Sequence, residues 1–221
     1  MVSFLKLIWS YAKRVPLHQI HSRFADLTMV KRETYVDNLE LARVPSSLPG
    51  CIVECGVWRG GMSGGIASIL GPSRKYFLLD SFEGLPPAKE VDGKTAIEWQ
   101  ADKSAVGYYD NCKAEEGFAS DAMKRAGVTD FQLIKGWFSD TVPELKLPEP
   151  IALLRLDGDW YDSTMVCLDH LFDKVVPGGV IIIDDYFAWD GCSRAVHDFL
   201  SKRSATERLR TNGRVCYMIK A

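Results

Sequence analysis

The sequence predicts an α/β protein built on a doubly wound, mainly parallel sheet with helices on both faces. Three observations carry this. Cys51-Ile52-Val53-Glu54-Cys55, Ile151-Ala152-Leu153-Leu154-Arg155-Leu156 and Val180-Ile181-Ile182-Ile183 have the near-continuous hydrophobicity of strands buried on both faces. Helix-length segments alternate with such runs. Acidic residues stand where the runs stop, at the C-terminal strand tips where open α/β sheets hold ligands.

Between residues 31 and 44, Tyr35, Val36, Leu39 and Leu41 recur at roughly helical spacing, and the prolines at 45 and 49 break the pattern. Residues 1–45 are therefore expected to form a helical extension ahead of a domain spanning 46–221. Its first segment, Met1 to Tyr11, is apolar, but Lys6 interrupts it and no small-residue cleavage site precedes Lys13 and Arg14, so an amphipathic helix is expected there rather than a signal peptide. Such a helix packs on the core or on a second copy, which makes a homodimer a reasonable expectation, with peripheral membrane contact as the alternative.

The first strand, 51–55, runs into a glycine-rich turn and a helix ending near Leu70; the second covers 75–79 and stops on Asp80. Residues 81–117 carry prolines, glycines and aromatics without strong periodicity, so a long functional loop with short helical pieces, lid-like, is expected. A helix ends over 121–127, a third strand covers 131–135, and Gly136-Trp137-Phe138 begins the next loop. The fourth and fifth strands carry the acidic clusters, a helix covers about 192–203, and residues 214–219 alternate like a final edge strand.

Asp157 and Asp184 lie 27 positions apart, with a crossover closing on Pro177-Gly178-Gly179 between them. Such a crossover brings the two strands side by side, so that Asp157, Asp184 and Asp185 converge. Three converging anions repel unless a cation sits among them. A hard divalent ion, magnesium or calcium-like, suits an all-oxygen ligand set.

A strand, glycine turn and helix aim backbone N–H groups at the crevice. The spacing is not the dinucleotide fingerprint, since Gly56 is followed by Val57 and Trp58 before Gly60, which argues against a dehydrogenase. Asp80, about 25 residues beyond the first glycine, is placed to accept hydrogen bonds from the ribose hydroxyls of an adenosyl ligand. Glu54 is an acid within an apolar strand and must be paired, either with a ligand or with N–H groups of the glycine loop. His197 is a candidate base on the helix after the second acidic pair. Asp159 is a candidate substrate contact, Asp162 suits a helix start, and Trp99, Tyr108, Tyr109 and Trp189 are candidate acceptor contacts.

With 47% hydrophobic residues, 25% charged and a net charge of -2, the composition offers no broad basic surface, so nucleic acid is not expected as a partner. No apolar stretch is long enough to span a bilayer. The six cysteines lack zinc-site spacing and read as buried thiols of a reducing cytoplasm, which is the expected location.

Four motifs in order, residues 53–61, 79–86, 154–159 and 183–186, resemble the macrocin O-methyltransferase family over roughly residues 28–219. The resemblance implies a seven-stranded, Rossmann-like class I fold and a magnesium-dependent enzyme that moves a methyl group from S-adenosylmethionine to a hydroxyl of a sugar or glycosylated small molecule. It implies that the loop of Glu54, Gly56, Val57, Gly60, Gly61 and Ser63 holds the methionine part of the cofactor. Asp80 would take the ribose, with Ser81 and Phe82 near the adenosine and Gly136, Trp137 and Phe138 flanking the adenine. Asp157, Asp184 and Asp185 would hold magnesium, with Asp157 also beside the cofactor and acting as general base. Catechol-type relatives of this chemistry place a lysine base three residues after the first aspartate, where this chain has Trp160. Two other readings exist: a metal-dependent sugar-nucleotide transferase using the Asp157-Gly158-Asp159 pattern, which leaves Asp184 and Asp185 without roles, and a non-catalytic binding subunit of the same fold.

Overall fold

A computed structural model describes residues 14–105 and 107–221. The expectation for Met1 to Tyr11 lies outside the described residues. Among the described residues no helix is long and apolar enough to cross a membrane.

The described residues begin with a helix, α1 (residues 14–24), followed by α2 (Arg32–Ala42), β1 (Cys51–Cys55), α3 (Gly61–Leu70) and β2 (Tyr76–Asp80). Then come α4 (Lys94–Ala101), α5 (Glu116–Arg125), β3 (Phe131–Lys135), β4 (Ile151–Leu156) and α6 (Tyr161–Leu171). The chain closes with β5 (Val175–Ile183), α7 (Asp190–Lys202), β6 (Arg210–Asn212) and β7 (Val215–Ile219). These strands form one seven-stranded sheet in the order β3-β2-β1-β4-β5-β7-β6. β1 to β5 are parallel, and β7 and β6 add on antiparallel.

Every residue of β1 and β4 is buried, which explains their continuous apolar runs. One core layer joins α1, α2 and α3 to one sheet face through Phe24, Tyr35, Leu39 and Ile66; the other joins α6 and α7 to the opposite face through Leu168, Leu171 and Phe199. The described part of residues 1–45 thus shares its core with the sheet. The glycines of α3 reflect that packing: a Cβ on Gly61 would meet Leu27 O at 2.4 Å, on Gly64 the Phe24 ring at 2.5 Å, and on Gly65 the Tyr35 hydroxyl at 2.0 Å. Glycine here allows close approach of helices.

Two expectations are corrected. Residues 214–219 are not the edge: β7 lies between β5 and β6, and β6 forms the margin. β6 is three polar residues without alternation, so it leaves no hydrophobic signal. Pro177-Gly178-Gly179 does not close the crossover but lies inside β5, at a register shift where Ile151 pairs with Val175 and Leu153 with Val180.

Candidate active site

The parallel pairing of Leu156 with Ile183 puts the tips of β4 and β5 side by side, so Asp157 and Asp184 emerge as neighbours. One carboxylate oxygen from each of Asp157, Asp184 and Asp185 can be chosen so that all three lie within 4.8 Å of one another. The three line a cavity of about 750 Å³, within the range of small-molecule sites, together with Gly56, Asp80, Ser81, Trp137 and Phe138. An all-oxygen donor set of this compactness fits a hard dication.

Five carboxylates gather here, and the buried guanidinium of Arg155 pairs with three of them, Glu54, Asp157 and Asp184. Glu54 and Arg155 are each 1% exposed and are register partners on β1 and β4. Arg155 Nη1 donates to Glu54 Oε1 at 2.7 Å and to Asp157 Oδ2 at 2.8 Å, and Nη2 lies 3.0 Å from Asp184 Oδ2. Burial pushes the Glu54 carboxyl up to about 7 against the opposing pull of Arg155 and Ser63. Burial, then the Asp157 carboxylate, pushes Asp159 up to about 7 as well. Burial followed by Asp159 and Asp157 raises Asp185 well above the carboxylate range, and Asp157 is raised chiefly by burial. Raised carboxyls of this kind mark a cluster of acids that a cation bound among them would favour in the ionised form.

The glycine loop is held differently from either option the sequence left open. Glu54 accepts from the Ser63 hydroxyl and Arg155 and does not line the cavity. The loop's N–H groups go to Asp80: Val57 N and Trp58 N each donate to Oδ2 at 2.7 Å, and Phe82 N to Oδ1 at 2.7 Å. A carboxylate has about four acceptor positions, so Asp80 keeps about one for a ligand. Gly56 faces the cavity with φ +94°, and a Cβ there would strike the Asp157 carbonyl oxygen at 1.7 Å, so no other residue fits. Val57, Gly60, Gly61, Ser63, Phe82 and Gly136 do not line the cavity. They support the loops that do: a Cβ on Gly60 would meet Ala119 at 2.6 Å, and Phe82 is buried in the core.

His197 is exposed on α7, pairs with the Tyr186 hydroxyl at 2.9 Å and does not line the cavity. Asp159 does line it: Oδ1 accepts from the Trp189 indole N–H at 2.8 Å, and its backbone N–H donates to Asp185 Oδ2. Asp162 falls in the first turn of α6 and pairs with Lys89; Asp92, which receives the Tyr161 N–H at 2.7 Å, satisfies that helix start instead.

Residues 81–117 close one side. Trp99, Trp160 and Trp189 pack edge to face at 5.2–6.3 Å, and Tyr108 lies 5.5 Å from Trp99. Trp99, Tyr109 and Trp189 line the cavity. Trp160, at the position of the lysine base in catechol-type enzymes, is buried and donates its indole N–H to Pro86 O. Met29, Lys31 and Thr34 near the start of α2 also line the cavity, as do Phe187 and Arg214. Met29, Lys31 and Thr34 carry no site signal in the sequence, because no strand tip or glycine turn marks them and it is the packing of α2 on the sheet that brings them to the crevice.

A seven-stranded sheet of this order, with acid-tipped central strands around one crevice, is the fold of the class I S-adenosylmethionine-dependent O-methyltransferases. A family model described as macrocin-O-methyltransferase (TylF) matches residues 23–220, and the chain belongs to that family. Among relatives, the 8-demethyl-8-(2,3-dimethoxy-alpha-L-rhamnosyl)-tetracenomycin-C 4'-O-methyltransferase of Streptomyces olivaceus is 36% identical over 180 residues, 74% of this chain and 64% of that one. The demethyldecarbamoylnovobiocin O-methyltransferase of Streptomyces niveus is 33% identical over 178 residues, 76% of this chain and 64% of that one. The chain thus spans just under two thirds of the length of these two relatives. The solved structure of the O-methyltransferase NovP superposes with a TM-score of 0.69 at 30% identity, covering 84% of this chain and 80% of that one.

Proposed function

We propose that the protein transfers a methyl group from S-adenosylmethionine to a hydroxyl of a sugar or glycosylated small molecule, with a hard dication such as magnesium held by Asp157, Asp184 and Asp185. The observation that carries this is the convergence of those three carboxylates in the same cavity as Gly56 and Asp80. The relatives are named for O-methylation, one of them on a rhamnosyl-bearing acceptor, which favours the same chemistry here.

When bound, the dication acidifies a substrate hydroxyl and the sulfonium cofactor supplies an electrophilic methyl group. The chain's own residues do the rest. Asp80 and the loop it organises receive the cofactor in the crevice beside Gly56, with Trp137 and Phe138 as apolar walls for its adenine. Asp157 has one oxygen committed to Arg155 and is a ligand candidate through the other, so it is poorly suited to accept a proton. Asp159 Oδ2 carries no hydrogen bond while Oδ1 is anchored by Trp189; we assign Asp159 the proton-accepting role in place of Asp157 and His197. Trp99, Tyr109 and Trp189 shield the reacting atoms from water and offer faces for a sugar ring.

The test is isothermal titration with S-adenosylhomocysteine, followed by a screen of glycosylated acceptors with magnesium and with a chelator. Binding of the product cofactor and chelator-sensitive methylation are expected. A folded protein that binds a nucleotide sugar but no S-adenosylhomocysteine would overturn the reading.

A further inference from the structure

We infer that Arg155 is a positioning residue for the cation site: directly and through Asn38 it sets the orientation of the Asp157 and Asp184 carboxylates, turning Asp157 Oδ1 toward the dication. This rests on the metal reading above.

The geometry is specific. Arg155 Nη1 donates to Asp157 Oδ2 at 2.8 Å and leaves Oδ1 to face the neighbouring carboxylates. Its Nε donates to Asn38 Oδ1 at 3.2 Å, and Asn38 Nδ2 in turn donates to Asp184 Oδ1 at 2.9 Å. Nη2 sits 3.0 Å from Asp184 Oδ2 but outside hydrogen-bond geometry, a buried N–H group without a hydrogen-bond partner, directed at the acidic cluster. Glu54 accepts from the same Nη1 at 2.7 Å and is itself held by the Ser63 hydroxyl, so that nitrogen is shared between Glu54 and Asp157 while Nε is tied to Asn38. The side chain is 1% exposed in a strand otherwise apolar, where a charge persists only if paired.

Two roles make opposite demands. If Arg155 merely neutralised the carboxylates, it would compete with the dication, and removing it would strengthen metal binding. If it orients the ligands from behind, removing it weakens metal binding, as loss of outer partners does at other metal sites. Arg155 reaches Asp157 and Asp184, and no contact joins it to Asp185, so it does not occupy the place the three carboxylates share. The planar fork, engaging acids on two strands and an amide on α2, matches an orienting role that lysine cannot reproduce.

The experiment is Mn²⁺ binding to the full chain by calorimetry, with S-adenosylhomocysteine binding and thermal unfolding followed in parallel. Because Arg155→Met alone would strand a buried Glu54, the comparison is Glu54→Gln against the double variant Glu54→Gln/Arg155→Met. The double variant is expected to bind Mn²⁺ about 10- to 100-fold more weakly, with S-adenosylhomocysteine affinity and unfolding temperature near those of Glu54→Gln. Arg155→Lys is expected to remain weaker than wild type, and Asn38→Leu to weaken Mn²⁺ in the same direction. Equal or tighter Mn²⁺ binding by the double variant, full recovery with lysine, or a parallel collapse of S-adenosylhomocysteine binding and stability would overturn the inference. Wild-type protein that binds S-adenosylhomocysteine but no Mn²⁺ would instead overturn the metal reading itself, before any substitution is made.

Discussion

The floor and the wall of the cavity are built on opposite principles. The floor is three carboxylates on the tips of adjacent parallel strands, positioned by main-chain pairing and each engaged by a donor from Arg155, Asn38 or the Asp159 backbone. The wall is an aromatic cluster in which Trp99 of the 81–117 insertion packs on Trp160 and Trp189 from the loops after β4 and β5, fastened by a few polar pins: buried Asp92 receives the Lys89 and Tyr161 N–H groups, and Trp160 donates to Pro86 O. The difference teaches where reaction and recognition reside. Charge that must be precise is placed on rigid sheet ends, and acceptor shape comes largely from a loop-borne wall that touches the acids through Trp189, the anchor of Asp159.

The sharpest break between the two regions is expected from Asp157→Ala and Asp184→Ala. Loss of a cation worth several kcal/mol of transition-state stabilisation corresponds to at least about 10³-fold in kcat, while S-adenosylhomocysteine affinity stays within a few-fold. Near wild-type turnover by either variant in metal-depleted buffer would remove the floor from the chemistry. Asp159→Asn comes next: kcat is expected to fall roughly 10²–10³-fold, the range of general base catalysis, with Mn²⁺ and cofactor affinities retained. His197→Ala, outside the cavity, serves as the contrast and is expected to leave kcat unchanged.

A third test separates the regions by pH. The Glu54 carboxyl is held up at about 7 in the folded protein, chiefly by burial, whereas in an unfolded chain it titrates near 4.3. Between those values the folded state holds more protons, so this contribution to stability is present at low pH and is lost as pH rises through 7. The expected loss in metal-free protein is on the order of 1–3 kcal/mol, read as an unfolding temperature that declines from pH 5 to pH 8. Glu54→Gln should make that decline shallower, Asp159 and Asp185 supplying the remainder, and Trp99→Ala should not; an equal slope in Glu54→Gln would contradict the assignment. The smallest effect belongs to the wall. Trp99→Ala and Trp189→Ala each remove stacking worth about 0.5–1.5 kcal/mol and are expected to raise acceptor KM by about 2- to 10-fold. Unchanged KM in both variants would place the acceptor elsewhere. Because Trp189 also anchors Asp159, its variant alone should lower kcat as well.

Much of the floor was legible in the sequence because an apolar strand that ends on an acid has one physical reading in a parallel sheet. Arg155 escaped by standing inside such a run. The rule applied to Glu54, that a buried charge must be paired, applies equally to Arg155, and their shared register shows that each was the other's answer. The glycines misled in a subtler way: those of α3 record how closely α1 and α2 approach, which no local pattern expresses. The wall was legible only as a long aromatic insertion. Its path includes left-handed Tyr109, Asp110, Asn111 and Cys112, four consecutive non-glycine residues that no propensity would place there.

The most direct measurement is anomalous diffraction from crystals grown with S-adenosylhomocysteine and soaked in Mn²⁺. A single strong peak bounded by the carboxylates of Asp157, Asp184 and Asp185, facing the cofactor sulfur across the cavity, is the expected result. Well-ordered cofactor with no anomalous peak at those three residues would contradict it.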